Sequence, residues 1–491
     1  MSCVKSGIYS PYMLKVIKII GLAVAGLVWY AGVAKAQRVQ FSEPVAFDFR
    51  ASEFDMPGKL GDKLFVFRKD KELNVLDALD ENMQRLASIV LDFMPEKAGN
   101  LNFVSDGKTL MLTYQQLRRS GEMLVYAAVL DDQARLIGGP MVIDSVITRN
   151  ERYRVAISPD KQRMVVYLQD RRNGTSVLRW TAIDRKMQVA GNYEQALPAD
   201  GLVKSIYLTN DGQWIGLQGS GMEDQLSANL NLLVCPLGGH TFSVLPANLE
   251  GRYIGDAMLR YNTHTGKAYV AGFSSSTSKG NIDGLYYGIA LPTSGSWQKT
   301  AFMPFDEVVK EGAGGNKKRA FNDYIFRELI ITKDEGFLMA AEKYYTATRQ
   351  MYASGMGMYP YYYNPYYNRL LREFNYSDVM LLSCSAEGER KWSDFIRKDQ
   401  TTLEDDGAFS GYGMMNTGDA IRFVFNNMES ASTTLKVISV NPVGKMNTNL
   451  LDRDYTRYYD WLPRYGKQIS ARQMLVPCIY KGKLCFAKVD F

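Results

Sequence analysis

The chain has 491 residues, 46% of them hydrophobic and 12% aromatic, with 58 basic and 52 acidic side chains and a formal charge of +6. Four of the lysines (Lys5, Lys15, Lys18, Lys35) lie in the first 36 residues, which hold no acid, so the remaining 455 carry only +2. A near-neutral chain gives no electrostatic case for nucleic acid, which needs Lys and Arg clustered against phosphates.

The N-terminal segment reads as a cleavable secretory signal. Lys15 and Lys18 flank an apolar run from Ile19 to Ala34, and Ala34-Lys35-Ala36 forms the small-x-small cleavage site. The run is 16 residues, short of the ~20 that a spanning helix needs. The expectation is therefore an exported mature chain, residues 37–491, cut between Ala36 and Gln37. It meets the membrane only through the signal, and Met13 is an alternative start.

Beyond Gln37, long helical periodicity is absent. The best helical candidate, Asp80 to Leu86, is short. Short alternating or apolar runs separated by Asp, Asn and Gly turns point instead to an all-β chain. One element recurs: an apolar run, a polar turn, a second apolar run. It appears as LNFV-SDGK-TLMLTY from Leu101, YRVAI-SPDKQ-RMVVYL from Tyr153 and SIYL-TNDGQ-WIGLQ from Ser205. Further copies start at Met258, Glu328 and Tyr412. The markers Asp106, Asp160, Asp211, Thr265, Asp334 and Asp419 are spaced by 54, 51, 54, 69 and 85 residues. Asp or Asn followed by Gly takes the left-handed conformations of a tight hairpin. Four-stranded units at such intervals are the pattern of a β-propeller. The expected fold is one propeller of seven blades, with eight as the alternative. Residues 61–95 would start a first blade that the C-terminal hairpin completes, so that the two ends of the chain close the ring. The two long intervals mark loops around Val308–Arg319 and around Tyr344–Tyr376.

Catalytic constellations are weak. His240 and His264 lie in turn contexts without a nucleophile and an orienting acid. Glu404-Asp405-Asp406 is the densest acidic run but lacks the spacing of a calcium loop. The Gly-rich stretch from Glu311 lacks the ending of a phosphate loop. Thr332 to Phe337 matches only half of a sialidase Asp-box. No cofactor and no metal site is called for.

The most distinctive local feature is a Tyr-rich insertion at about 346–375, with Tyr352, Tyr359, Tyr361, Tyr362, Tyr363, Tyr366 and Tyr367 among Pro and Gly. Tyr gives contact area at low entropy cost and a hydroxyl for hydrogen bonds. The insertion is read as a loop that either covers apolar surface or binds a partner. A second aromatic run, from Asp454 to Gly466, is read as packing at the ring closure. Cys478 and Cys485 flank Lys481-Gly482. A two-residue hairpin there would set them opposite each other, within reach of a disulfide, with two ordinary buried thiols as the alternative.

The SPDK and SDGK turns between apolar strands resemble the WD40-like repeats of TolB-type propellers. The C-terminal third is similar to a group of secreted Bacteroidota proteins without assigned activity. The likeness rests on Glu342-Lys343-Tyr344-Tyr345, Ser377 to Leu382, Glu387-Gly388-Glu389, Lys391-Trp392 and Lys398-Asp399-Gln400. It implies an exported propeller and carries over no catalytic residue. The expected role is a non-enzymatic binding or scaffold module for an envelope protein or glycan, in the periplasm or at the cell surface. A glycan-active hydrolase or lyase with carboxylates in the central channel is the alternative.

Overall fold

A computed structural model describes residues 38–48, 53–70, 72–148, 152–172, 174–198, 201–220, 226–314, 321–350, 370–428, 434–451 and 458–491. The signal, its cleavage point at Ala36 and Gln37, and the seven insertion tyrosines (Tyr352, Tyr359, Tyr361, Tyr362, Tyr363, Tyr366, Tyr367) lie outside these residues.

Among the described residues the strands form eight antiparallel sheets. Sheet 1 consists of Phe54–Leu60, Lys63–Asp70, Leu73–Leu79 and Arg85–Val90. Sheets 2 to 5 repeat that four-stranded order, starting at Gly99–Ser105, Arg154–Ile157, Leu202–Leu208 and Tyr253–Asn262. Sheet 6 starts at Tyr324–Ile331 and gains an extra strand, Gln400–Leu403; sheet 7 starts at Gly413–Asn416. Sheet 8 takes Tyr459–Trp461, Lys467–Ser470, Gln473–Tyr480 and Lys483–Asp490 from the C-terminal end. Two N-terminal strands, Arg38–Phe41 and Val45–Ala46, pair with Lys483–Asp490 in the same sheet.

The ends of the chain thus pair as expected, but not by completing the first unit. Residues 54–90 make a whole sheet alone, and the C-terminal hairpin belongs to a different one. That raises the number of sheets to eight. The expected helix at Asp80–Leu86 is a hairpin turn. Asp80 Oδ1 accepts from the amides of Asn82 and Gln84, Met83 adopts φ 66°, and Leu86 already belongs to a strand. The expected loop around Val308 holds a short helix, Glu307–Gly312, whose N-cap Asp306 accepts from Val309 N.

The reason for stacking is visible in alternate side chains. On the strand Leu110–Leu117, Leu110, Leu112 and Tyr114 face sheet 1 and Met111 faces sheet 3. A strand buried on both faces reads as a continuous apolar run, which is why the middle strands lack polar alternation. Each fully buried Leu, Val or Phe contributes about 1.5–3 kcal/mol, and none of it is realised unless a neighbouring sheet covers that face. Of eight apolar clusters among the described residues, seven join the sheets in order, 1 to 2 through 7 to 8. The remaining cluster packs Met56, Leu64 and Val66 of sheet 1 against Leu475, Leu484 and Phe486 of sheet 8. The fourth strands, such as Arg85–Val90, are mostly exposed.

The Asp turns do more than reverse the chain. Ser158 Oγ donates to Asp160 Oδ1 at 2.6 Å and Thr332 Oγ1 to Asp334 Oδ1 at 2.6 Å, and Thr209 makes the same bond to Asp211. Several of these turns also reach the next sheet. Gly61 N donates to Gly107 O at 2.9 Å, Asp160 N to Asn210 Oδ1 at 3.0 Å, and Lys267 Nζ pairs with Glu335 at 2.7 Å. The first-to-second-strand turns therefore gather on one face, the turn face. The second-to-third-strand connections lie at the opposite end.

Lys391 and the Thr332 hydroxyl hold the Asp334 carboxyl down at about 2. The ionised carboxylate contributes its full stability above the unfolded value of about 3.9 and loses it as pH falls through about 2. Asp334 is exposed, so the effect is small. The wild-type melting temperature should fall between pH about 4 and about 2, and Asp334→Asn should show a shallower fall in a pH series of thermal melts.

Candidate functional site

Two features single out sheet 6. The first is a ribbon. Its second and third strands, Phe337–Gln350 and Leu370–Cys384, continue past the end of the first strand's pairing, which stops at Lys343. They stay paired from Tyr344↔Tyr376 to Gln350↔Leu370. Gln400–Leu403 supports one side by pairing with Glu373–Tyr376. The flanks of the Tyr-rich insertion are therefore strands, not loop, and residues 351–369 join the two tips. A groove of about 400 Å³ at the ribbon is lined by Thr348, Leu370, Arg372, Phe374, Glu404 and Asp406. Tyr345, Leu370 and Leu403 expose apolar surface there, with Leu370 at 63%.

The acidic run beside the groove is structural. Glu404 Oε1 accepts from Arg372 N, Asp405 Oδ1 accepts from Gly407 N at 2.9 Å, and Asp406 pairs with Arg372 at 3.6 Å. Among the described residues no group of three or more His, Cys, Asp or Glu converges as metal ligands.

The second feature is a buried charge cluster at the base of the ribbon. Glu342 and Lys398 are each 1% exposed in the side chain and pair at 2.8 Å. Arg327 reaches the other oxygen of Glu342 at 2.9 Å. Lys398 also donates to Gln400 Oε1 at 2.8 Å and to Tyr376 O at 3.2 Å. Arg464, from the turn Pro463–Tyr465 in sheet 8, donates to Tyr376 Oη at 2.6 Å. The Tyr376 ring has three cations over it: Arg464 at 5.6 Å, Arg327 at 5.7 Å and Lys398 at 5.8 Å. Tyr412, between sheets 6 and 7, is buried and its hydroxyl has no hydrogen-bond partner among the described residues.

Burial sets the electrostatics. It pushes the Lys398 ammonium below its ordinary value against the pull of Glu342. It pushes the Tyr412 hydroxyl well up, helped by Glu342 and Glu328. The Glu328 carboxyl is also raised by burial, although Arg260, 3.2 Å away, pulls it down.

The sequence names both ends of this cluster without joining them. Glu342 opens the first quoted segment of the resemblance and Lys398 and Gln400 close the last, and the fold brings them into contact. Arg327, Tyr376, Tyr412 and Arg464 were not singled out. The one local signal was Glu342 itself, an acid ending the apolar run Phe337–Ala341.

The remaining candidates fall elsewhere. His264 lies in an exposed turn, its amide held by Asn262 Oδ1 at 3.0 Å, and His240 packs edge-on against Tyr193. Trp461 is fully buried between sheets 7 and 8, and Tyr459 stacks on Phe41 at 4.0 Å. Cys478 and Cys485 stand directly opposite across the Lys481-Gly482 turn, both buried, with Sγ atoms 2.9 Å apart and free thiols. The left-handed conformations of Lys481 and Gly482 (φ 50° and 74°) make that two-residue turn.

No family model and no curated protein matches the chain. Among solved structures it is similar to a prolyl endopeptidase, with TM-score 0.40 and 10% identity over 88% of this chain and 55% of that one. It is also similar to prolyl oligopeptidase B from Galerina marginata, with TM-score 0.40 and 11% identity over 88% and 56% of the two chains. A functionally unknown protein from Desulfotomaculum acetoxidans aligns with TM-score 0.35 and 10% identity over 84% and 95%. The chain spans about half the length of the two peptidases.

Removing one partner of a buried pair leaves an uncompensated charge, at a cost of about 3–5 kcal/mol. Glu342→Gln should lower stability by that order in urea unfolding. The double replacement Glu342→Gln with Lys398→Met should regain part of it.

Proposed function

We propose that the chain is an eight-bladed propeller that works as a binding module, and that its docking face is the one bearing the ribbon. The cyclic order of the eight apolar clusters, with sheet 8 packed on sheet 1, supports the blade count. The observation that carries the binding role is the ribbon itself. The paired strands on either side of the Tyr-rich segment run on beyond the pairing of the first strand of sheet 6, and Tyr345, Leu370 and Leu403 are exposed there. Tyr-rich, part-apolar surface on a rigid support is suited to docking because little entropy is lost on contact. The partner is an envelope protein or glycan, and the chain acts after export to the periplasm or cell surface.

A glycan-active enzyme is the second reading. It draws on Glu328, whose carboxyl is raised by burial as a general acid requires. Against it, Glu328 is paired with Arg260, and Glu342 with Arg327 and Lys398.

Gln350 and Leu370 are already paired, so residues 351–369 can be replaced by Asn-Gly to close a short hairpin. That variant should fold with an unchanged circular dichroism spectrum and lose the partner captured from an envelope extract. An unchanged set of co-purifying partners would sink the reading. An oxidising compartment would join Cys478 to Cys485, and protein recovered from the envelope should then have an intact mass two hydrogens below the thiol form.

A further inference from the structure

We infer that the charge cluster at the base of the ribbon is a recognition site for a small oxyanion, a carboxylate or a phosphate, with Arg464 as its first contact. The inference deepens the binding reading, on which it rests, by naming the chemistry of the ligand.

Arg464, Arg327 and Lys398 crowd the ring of Tyr376 within 5.8 Å, and among the described residues one carboxylate, Glu342, lies in ion-pair contact with them. Glu342 is committed on both oxygens, one to Arg327 and one to Lys398. The nearby acids are engaged elsewhere: Glu328 pairs with Arg260, Asp378 with Arg397 and Asp406 with Arg372, while Glu404 and Asp405 accept from the backbone amides of Arg372 and Gly407. Arg464 meets Asp406 only at its backbone carbonyl, at 3.3 Å. Its other partners are the hydroxyls of Tyr376 and Tyr465. No carboxylate stands within ion-pair distance of Arg464 among the described residues.

Three cations thus share one carboxylate in ion-pair contact, in a part-buried setting where incompletely paired charge is costly. Arg464 and Arg327 are both part-exposed, so a ligand can reach them from solvent, whereas Lys398 and Glu342 are sealed beneath. A guanidinium offers planar paired donors that match a carboxylate or phosphate.

The test is a titration of the full mature chain with inorganic phosphate, acetate and D-glucuronate, each against sodium chloride at equal ionic strength. Calorimetry and thermal melting are the readouts. At least one oxyanion should bind saturably and raise the melting temperature above the chloride control. Response to phosphate alone would assign the site to a phosphate group, and response to glucuronate or acetate to a carboxylate. Arg464→Gln should weaken that binding by at least about tenfold, the order expected for one charged hydrogen bond, with an unchanged circular dichroism spectrum. Lys108→Gln, at an exposed turn of sheet 2, should bind as the wild type does. No protection beyond chloride by any of the three, or equal binding by wild type and Arg464→Gln, would overturn the inference. The chain with 351–369 replaced by Asn-Gly separates the two readings. Retained anion binding with lost partner capture supports both. Retained anion binding with unchanged capture removes the ribbon reading alone, and lost anion binding overturns this one.

Discussion

A four-stranded antiparallel sheet with two apolar faces cannot stand alone in water. Every other property of this chain depends on that constraint. The middle strands, such as Leu110–Leu117, send alternate residues to two different neighbours. No sheet can therefore serve as a terminus without leaving a face bare. The row of sheets avoids this by bringing the last back to the first, where Leu475, Leu484 and Phe486 cover Met56, Leu64 and Val66. Stability is distributed over eight junctions instead of one central core, which is how a chain of this length dispenses with a single large interior.

The strands and turns were legible because they follow local rules. Short apolar runs on either side of polar Asp, Asn and Gly turns located six of the repeats. The number of sheets was harder to read for an equally local reason. The first strand of sheet 1, Phe54–Leu60, carries Asp55, Pro57, Gly58 and Lys59 and a register shift between Asp55 and Gly58, so no apolar run precedes the Gly61-Asp62 turn and the sheet looks incomplete in sequence. The C-terminal hairpin then seemed available to complete it. What completes the C-terminal hairpin is the pair of short strands Arg38–Phe41 and Val45–Ala46, whose few residues give no periodic signal. The hydrogen bonds from turn to turn, such as Gly61 to Gly107, were invisible for the same reason: they belong to the arrangement of sheets, not to any one segment.

The charge cluster was the least legible feature. Its members come from four separate stretches, and each looks ordinary where it stands. Glu342 and Lys398 stand in the sequence as members of two separate motifs of the resemblance, and Arg464 as part of an aromatic run. Only the meeting of sheets 6, 7 and 8 makes them neighbours. The ribbon lies between these extremes. Its Tyr content was plain, but the pairing of Thr346–Gln350 with Leu370–Phe374 needed a supporting strand, Gln400–Leu403, that follows it in the chain.

The pairing of Arg38–Phe41 with Lys483–Asp490 also constrains how the molecule can be made. During synthesis the strand that emerges first must wait for the strand that emerges last. Until then the nascent chain is an open arc with a bare apolar flank at each end, one on sheet 1 and one on sheet 7. The contacts that cover those flanks join residues far apart in sequence and form slowly. Shielding of those two flanks, rather than the formation of any single sheet, is then the vulnerable stage in the life of the protein.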